Sequence, residues 1–194
     1  MGGGRSRRRD LAAGGDESLL DFGVIEPVDR GPGDQNHVAV GVGETLNRKF
    51  MVIDVHDHQT SESWLIAAEG PDAGVPRLVS KRRPEREYDI EARNELFYLM
   101  TNADGAEDYK IVTAPVATPD AEHWVDLVPH TPGVLLLDMI VLSNHLVRLE
   151  RVEGLPRIVV RDLRDSNEWT VAFDEEAYSL GLSEGEQFDT NTVR

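Results

Sequence analysis

Short apolar runs return along this chain at a nearly constant interval, and that periodicity limits the fold more than any other feature. Phe50-Met51-Val52 recurs as Phe97-Tyr98-Leu99 at an offset of 47, and Phe97-Tyr98 recurs as Leu146-Val147 at 49. Trp64-Leu65 matches Ile111-Val112 at 47, and Lys110-Ile111 matches Val159-Val160 at 49. Leu78-Val79 precedes Leu127-Val128 by 49, and Asp89-Ile90 precedes Asp138-Met139 by the same interval. Each interval holds four short runs separated by turn residues. That is the pattern of β-propeller blades, in which every unit is a small antiparallel sheet.

The expected fold class is therefore all-β, a partial propeller of about three four-stranded antiparallel blades plus the start of a fourth. The units run from about His37 to Ser80, Tyr88 to Val128 and Leu137 to Phe173, with the fourth begun at about Gln187. Reversals are expected at Asp57 to Ser61, Asn102-Ala103-Asp104-Gly105 and Glu153-Gly154, where Asn, Asp and Gly tolerate left-handed backbone. Blades stack face to face, so their middle strands should be apolar on both sides, a role given to Phe50-Met51-Val52-Ile53 and to Val134 through Leu137. Three blades leave two such faces bare, and a closed ring needs at least four, so the chain reads as a sector of a ring. Phe188 to Arg194 reads as a strand. Residues 1 to 33, rich in Gly, Arg, Asp and Pro, read as a flexible tail ahead of the ordered part, 34 to 194.

The chain has no cysteine, which rules out a disulfide framework and thiolate metal sites and makes a cytoplasmic location the default expectation. The apolar run from Val134 to Leu142 is broken by Asp138 and falls well short of the ~20 residues a membrane-spanning helix needs. Arg7, Arg8 and Arg9 lead into Gly14-Gly15-Asp16 and not into an apolar stretch, so no secretory or twin-arginine signal is expected. A formal net charge of -16 opposes nucleic acid and favours basic peptides or basic protein faces, besides keeping a β-rich protein soluble.

Two local patterns invite a chemical reading. Gly181-Leu182-Ser183-Glu184-Gly185 satisfies G-x-S-x-G, but a nucleophile elbow needs a strand before the Ser, a helix after it, and then an acid and a His. All six histidines, His37, His56, His58, His123, His130 and His145, precede Ser183, so the pattern reads as an inter-blade turn. His56-Asp57-His58 offers metal-ligand residue types, yet a strand would put the two histidines on one face with Asp57 turned away, and no third ligand is evident. A solvated turn is expected there. Trp64, Trp124 and Trp169 are not followed by Asp, so the WD signature is missing and they read as blade core or rim. There is no glycine-rich phosphate loop. No catalytic, cofactor-binding or metal-binding residue is assigned, and no cofactor is expected.

A string of motifs, in order, is similar to the oligopeptidase B branch of the prolyl oligopeptidase family. They are Asp57-His58-Gln59-Thr60-Ser61-Glu62, Phe97-Tyr98-Leu99-Met100-Thr101-Asn102-Ala103-Asp104-Gly105, Leu127-Val128-Pro129-His130, Gly154-Leu155-Pro156-Arg157-Ile158 and Phe173-Asp174-Glu175-Glu176-Ala177-Tyr178-Ser179-Leu180-Gly181. The resemblance covers about Asp34 to Arg194. It implies a seven-bladed propeller that caps an α/β-hydrolase domain, admits only short peptides and serves cleavage after Arg or Lys. The partners it implies are that catalytic domain, which carries the Ser-His-Asp triad, and short basic peptides as substrate. This chain is then expected to be inactive alone. The alternatives are a non-enzymatic interaction module that self-associates through exposed blade faces, or a non-functional truncated product.

Overall fold

A computed structural model describes residues 39–57, 59–173, 179–183, 187–190 and 192. Its first sheet holds β1 (Ala39–Glu44), β2 (Phe50–His56), β3 (Ser61–Ala67) and β4 (Pro76–Leu78). The second holds β5 (Tyr88–Arg93), β6 (Leu96–Thr101), β7 (Lys110–Pro115) and β8 (Val125–Val128). The third holds β9 (Val134–Val141), β10 (His145–Val152), β11 (Leu155–Asp162) and β12 (Glu168–Thr170). In each sheet the strands are antiparallel and neighbours in space are neighbours in sequence. The helical elements among the described residues are two single 3-10 turns, Ala103–Gly105 and Ala121–His123.

Side-chain alternation explains how the sheets stack. On β6, Phe97 and Leu99 point one way, into a core with Phe50, Val52 and Leu65 of the first sheet. Tyr98 and Met100 point the other way, into a core with Leu136, Met139, Val141 and Leu146 of the third. Successive residues of a strand face opposite sides, so covering both faces makes β6 apolar at nearly every position. The reversals fall at the expected places. Glu153 and Gly154, with φ of 50° and 83°, both take the left-handed backbone that a two-residue hairpin turn demands.

The expected middle-strand roles need correction. Val134 to Leu137 lies in β9, the first strand of its sheet, and owes its apolar character to packing against β5 and β6 of the second sheet. The third unit therefore starts at Val134 rather than Leu137. Phe50-Met51-Val52-Ile53 does sit in a middle strand, but its sides are covered unequally: Phe50 and Val52 are buried, while Ile53 is half-buried and Met51 is exposed. The repeat also slips within the third unit. Phe97 pairs with Ala114 and Leu146 with Arg161, so the second strand advances by 49 while the third advances by 47. Ile111 is therefore matched by Ile158 and not by Val160, because the tight Glu153-Gly154 turn replaces the longer connection between β6 and β7.

The two outer faces are not equally bare. On the first sheet Val40, Val42 and Met51 are exposed. On the third, Leu182 and Leu46 pack against Ile140, Leu142 and Val147, and the Ser143 amide and hydroxyl donate to the Phe188 carbonyl (3.0 Å) and the Asp189 carboxylate (2.8 Å). Residues 187–190 form no strand. The expected tail, residues 1 to 33, lies outside the described residues.

Tyr88 ties the first two sheets together. Its hydroxyl accepts from the Ser63 amide (2.8 Å) and donates to the Ser80 carbonyl (3.2 Å), all within buried structure. Tyr88→Phe should cost about 1–3 kcal/mol, since the Ser63 amide is left buried without a partner. Burial pushes the Tyr88 phenol up to about 12, above the ordinary value of 10. A raised phenol favours the neutral form in the fold, so this contribution is complete below pH 10 and is lost as pH rises from 10 to about 12. Urea titrations of both proteins across that window check it: the variant's alkaline loss should be shallower, and parallel curves would refute the assignment.

Candidate functional site

Where the sheets converge, their acids collect. Asp89 of β5 and Asp138 of β9 occupy equivalent places on first strands, and β9 lies against β5, so the repeat places two carboxylates in one region. Asp54 of β2 joins them, because its cross-strand neighbour on β1 is Gly41, which has no side chain to cover it. A cleft of about 520 Å³ opens here, with Asp54, His56, Asp57, Glu87 and Asp89 on its walls and Leu135–Leu137 forming an apolar side. An adjoining hollow of about 260 Å³ shares Asp54 and Asp89 and reaches Glu44, Glu91 and Asp138.

The acids differ in their surroundings. Asp54 accepts from the Ser63 hydroxyl (2.5 Å), Glu87 from the Tyr109 hydroxyl (2.8 Å) and Asp138 from the Met139 amide (2.8 Å). Asp57 faces Arg82 at 3.4 Å and accepts from the Gln59 amide at 2.9 Å. Burial pushes Asp57 up, yet the Gln59 amide and the Arg82 charge outweigh it and hold the carboxyl below its usual range. Asp89 is raised instead, first by burial and then by the negative charges of Asp54, Asp138 and Glu87. Asp138 is raised by burial against the opposing Met139 amide. Burial, with the Glu87 hydrogen bond and charge, lifts Tyr109 to about 12. Among the described residues, no cation stands within ion-pair distance of Asp54, Asp89 or Asp138. A walled cleft with unneutralised carboxylates attracts cationic groups.

The residues singled out in the sequence do not assemble into a reactive centre. His56 is exposed at the end of β2, on the cleft wall, Asp57 engages Arg82, and His58 lies outside the described residues. Ser183 is exposed, and residues 179–182 before it form no strand; Gly185 lies outside the described residues. Trp64 is half-buried. Trp124 stands edge-on to Tyr88 (5.6 Å) under the Arg86 guanidinium, and Trp169 sits exposed beside His145. Sequence reasoning assigned no acid to a pocket. The 49-residue spacing of Asp89 and Asp138 was the available signal, and Glu87, two residues before Asp89, follows it locally, while Asp54 joins only through packing between sheets.

Three four-stranded antiparallel sheets, stacked in chain order with a first strand of one against the next sheet, define a sector of a β-propeller. A family model described as the prolyl oligopeptidase N-terminal β-propeller domain matches residues 27–194, and the chain belongs to that family. A dipeptidyl aminopeptidase BI of Pseudoxanthomonas mexicana is 32% identical over 155 residues, which is 80% of this chain and 21% of that protein. Among solved structures, oligopeptidase B from Leishmania major superposes with a TM-score of 0.72 at 24% identity, over 81% of this chain and 23% of that one. Oligopeptidase B from Trypanosoma brucei, in a closed form with covalently bound antipain, gives 0.74 at 24% identity over the same shares. The chain thus spans about a fifth of the length of the relatives it matches.

Proposed function

We propose that this chain is the propeller portion of a serine oligopeptidase that cleaves short peptides after Arg or Lys, and that it governs which peptides reach a separate hydrolase domain. The observation that carries the reading is the cleft of unneutralised acids, Asp54, Asp89 and Asp138, in a family of peptidases. Arg and Lys side chains suit it, and an ionic-strength-dependent attraction would draw basic peptides in. The triad belongs to the hydrolase domain, and the lack of cysteine is the reason for placing the enzyme in the cytoplasm.

Binding of a fluorescently labelled Arg-Arg peptide to the purified chain, followed by anisotropy at low salt, tests this. The variant carrying Asp89→Asn and Asp138→Asn should bind roughly tenfold or more weakly, the scale of one lost charge-assisted bond. It should also unfold at a higher temperature, because a carboxyl raised in the fold destabilises it once ionised. Equal binding by the variant, or equal binding of a Gln-Gln peptide, would overturn the reading. The chain alone should leave a fluorogenic Arg peptide uncut; turnover abolished by Ser183→Ala would refute placing catalysis elsewhere.

A second reading, an interaction module, is favoured by exposed Val40 (65%), Val42 (69%) and Met51 (48%) on the first sheet. Light scattering on the eluted chain decides it, since a monomer at high concentration would exclude self-association through that face.

A further inference from the structure

The groove between the second and third sheets has the opposite electrostatic character to the acidic cleft. Five charged side chains alternate along it in the order Arg157, Glu150, Arg148, Glu168, Arg161. Arg157 reaches Glu150 at 2.7 Å, Glu150 meets the Arg148 Nε at 2.9 Å, and Arg148 grips Glu168 with both terminal nitrogens at 2.8 and 2.9 Å. Arg161 is left with Glu168 at 3.8 Å. Three guanidiniums thus face two carboxylates, and the chain of charges begins and ends on arginine.

Both terminal arginines come from β11, four residues apart, so they stand on the same side of the strand about 13 Å apart along it. Their side chains are 39% and 23% exposed and that of Glu168 is 38% exposed, whereas Arg148 and Glu150 are buried. Both line a single cavity of about 290 Å³, with Thr131 and Tyr109 on its facing wall. That volume sits near the small end of the ~300–1,000 Å³ usual for small-molecule sites. A guanidinium has five donors in a fixed fork, and Arg161 uses almost none of them on protein.

We propose that this groove binds an oxyanion, with Arg161 and Arg157 as the recognising groups and the Arg148-centred network as their scaffold. The chemistry is that of a phosphate or of a peptide carboxylate, either of which supplies acceptors for the guanidinium donors that Arg161 leaves unused. The site adjoins the acidic cleft, with which it shares Tyr109 and Leu136, but the strand carrying its arginines contributes no residue to that cleft.

The test is a thermal unfolding series on the full chain with inorganic phosphate, against sodium chloride at matched ionic strength, and with a tripeptide bearing either a free or an amidated C-terminus. At tenfold saturation the bound anion should raise the midpoint by about 3–5 °C. A rise with phosphate alone assigns the site to phosphate; a rise with the free but not the amidated peptide assigns it to a carboxylate. Arg161→Gln, which removes only the 3.8 Å contact, should weaken binding roughly tenfold or more while leaving the ligand-free midpoint nearly unchanged. Should that variant not fold, titration calorimetry of the unaltered chain with phosphate and with both peptides still decides. No binding there, a shift equal to that in chloride, or undiminished binding by Arg161→Gln would overturn the proposal.

Discussion

Replacing Glu150 with alanine should remove about 3–5 kcal/mol of folding stability. The Glu150 side chain is 2% exposed and stands between the Nε of Arg148 and the guanidinium of Arg157. Without it, Arg148, itself 4% exposed, keeps only Glu168, on a face already desolvated by the neighbouring sheet. Removing one member of a buried ionic set leaves an uncompensated charge, which costs far more than the intact set is worth. For the same reason, exchanging Arg148, Glu150 and Arg157 together for well-packed apolar residues should be much less harmful than the single change. Guanidinium titrations of the three proteins decide: a loss below about 1 kcal/mol for Glu150→Ala would mean the network is not buried as described.

Acid titration gives the same network a second signature. The Arg148 hydrogen bonds, then its charge and those of Arg161 and Arg157, hold the Glu168 carboxyl below its ordinary value of 4.5 against the opposing effect of burial. A depressed carboxyl stabilises the fold when ionised, so its contribution is full above pH 4.5 and fades as pH falls through the lower value in the folded chain. Glu168→Gln should flatten that acid limb.

Phe97→Ala should cost a similar amount, about 3–5 kcal/mol, for a different reason. The ring is completely buried and meets Phe50 edge-on at 5.0 Å and 65°, so it fills the space where the first sheet leans on the second. Neither sheet can close the resulting cavity without moving its backbone. Set against the ~5–15 kcal/mol typical of a domain, either loss takes much of the total. Phe50→Ala and the double variant complete a cycle in which the ring pair should show a coupling of about 0.5–1.5 kcal/mol. Strictly additive losses would show that the edge-on contact adds nothing beyond burial.

Strand number, strand order and the hairpin positions were legible in the sequence because a β-strand imposes a local period of two and a tight turn imposes local backbone chemistry. The match of Phe50, Phe97 and Leu146, and the Glu153-Gly154 turn, needed no knowledge of what lay alongside. Apolar content, in contrast, records burial without saying by what. Val134 to Leu137 was read as a middle strand when it is a first strand covered by β5 and β6, and Met51 was read as covered when it is 48% exposed. Which neighbour covers a face is decided by the stacking of whole sheets, and stacking is long-range. The same holds for both charged sites. Asp54, Asp89 and Asp138 span 85 positions of the chain and meet only because sheets converge, and Arg157 and Arg161 share a groove only because β11 faces the second sheet. The repeat determined that blades form; tertiary packing decided which charges they bring together, since side chains far apart in sequence acquire a common electrostatic environment only once the strands between them have folded.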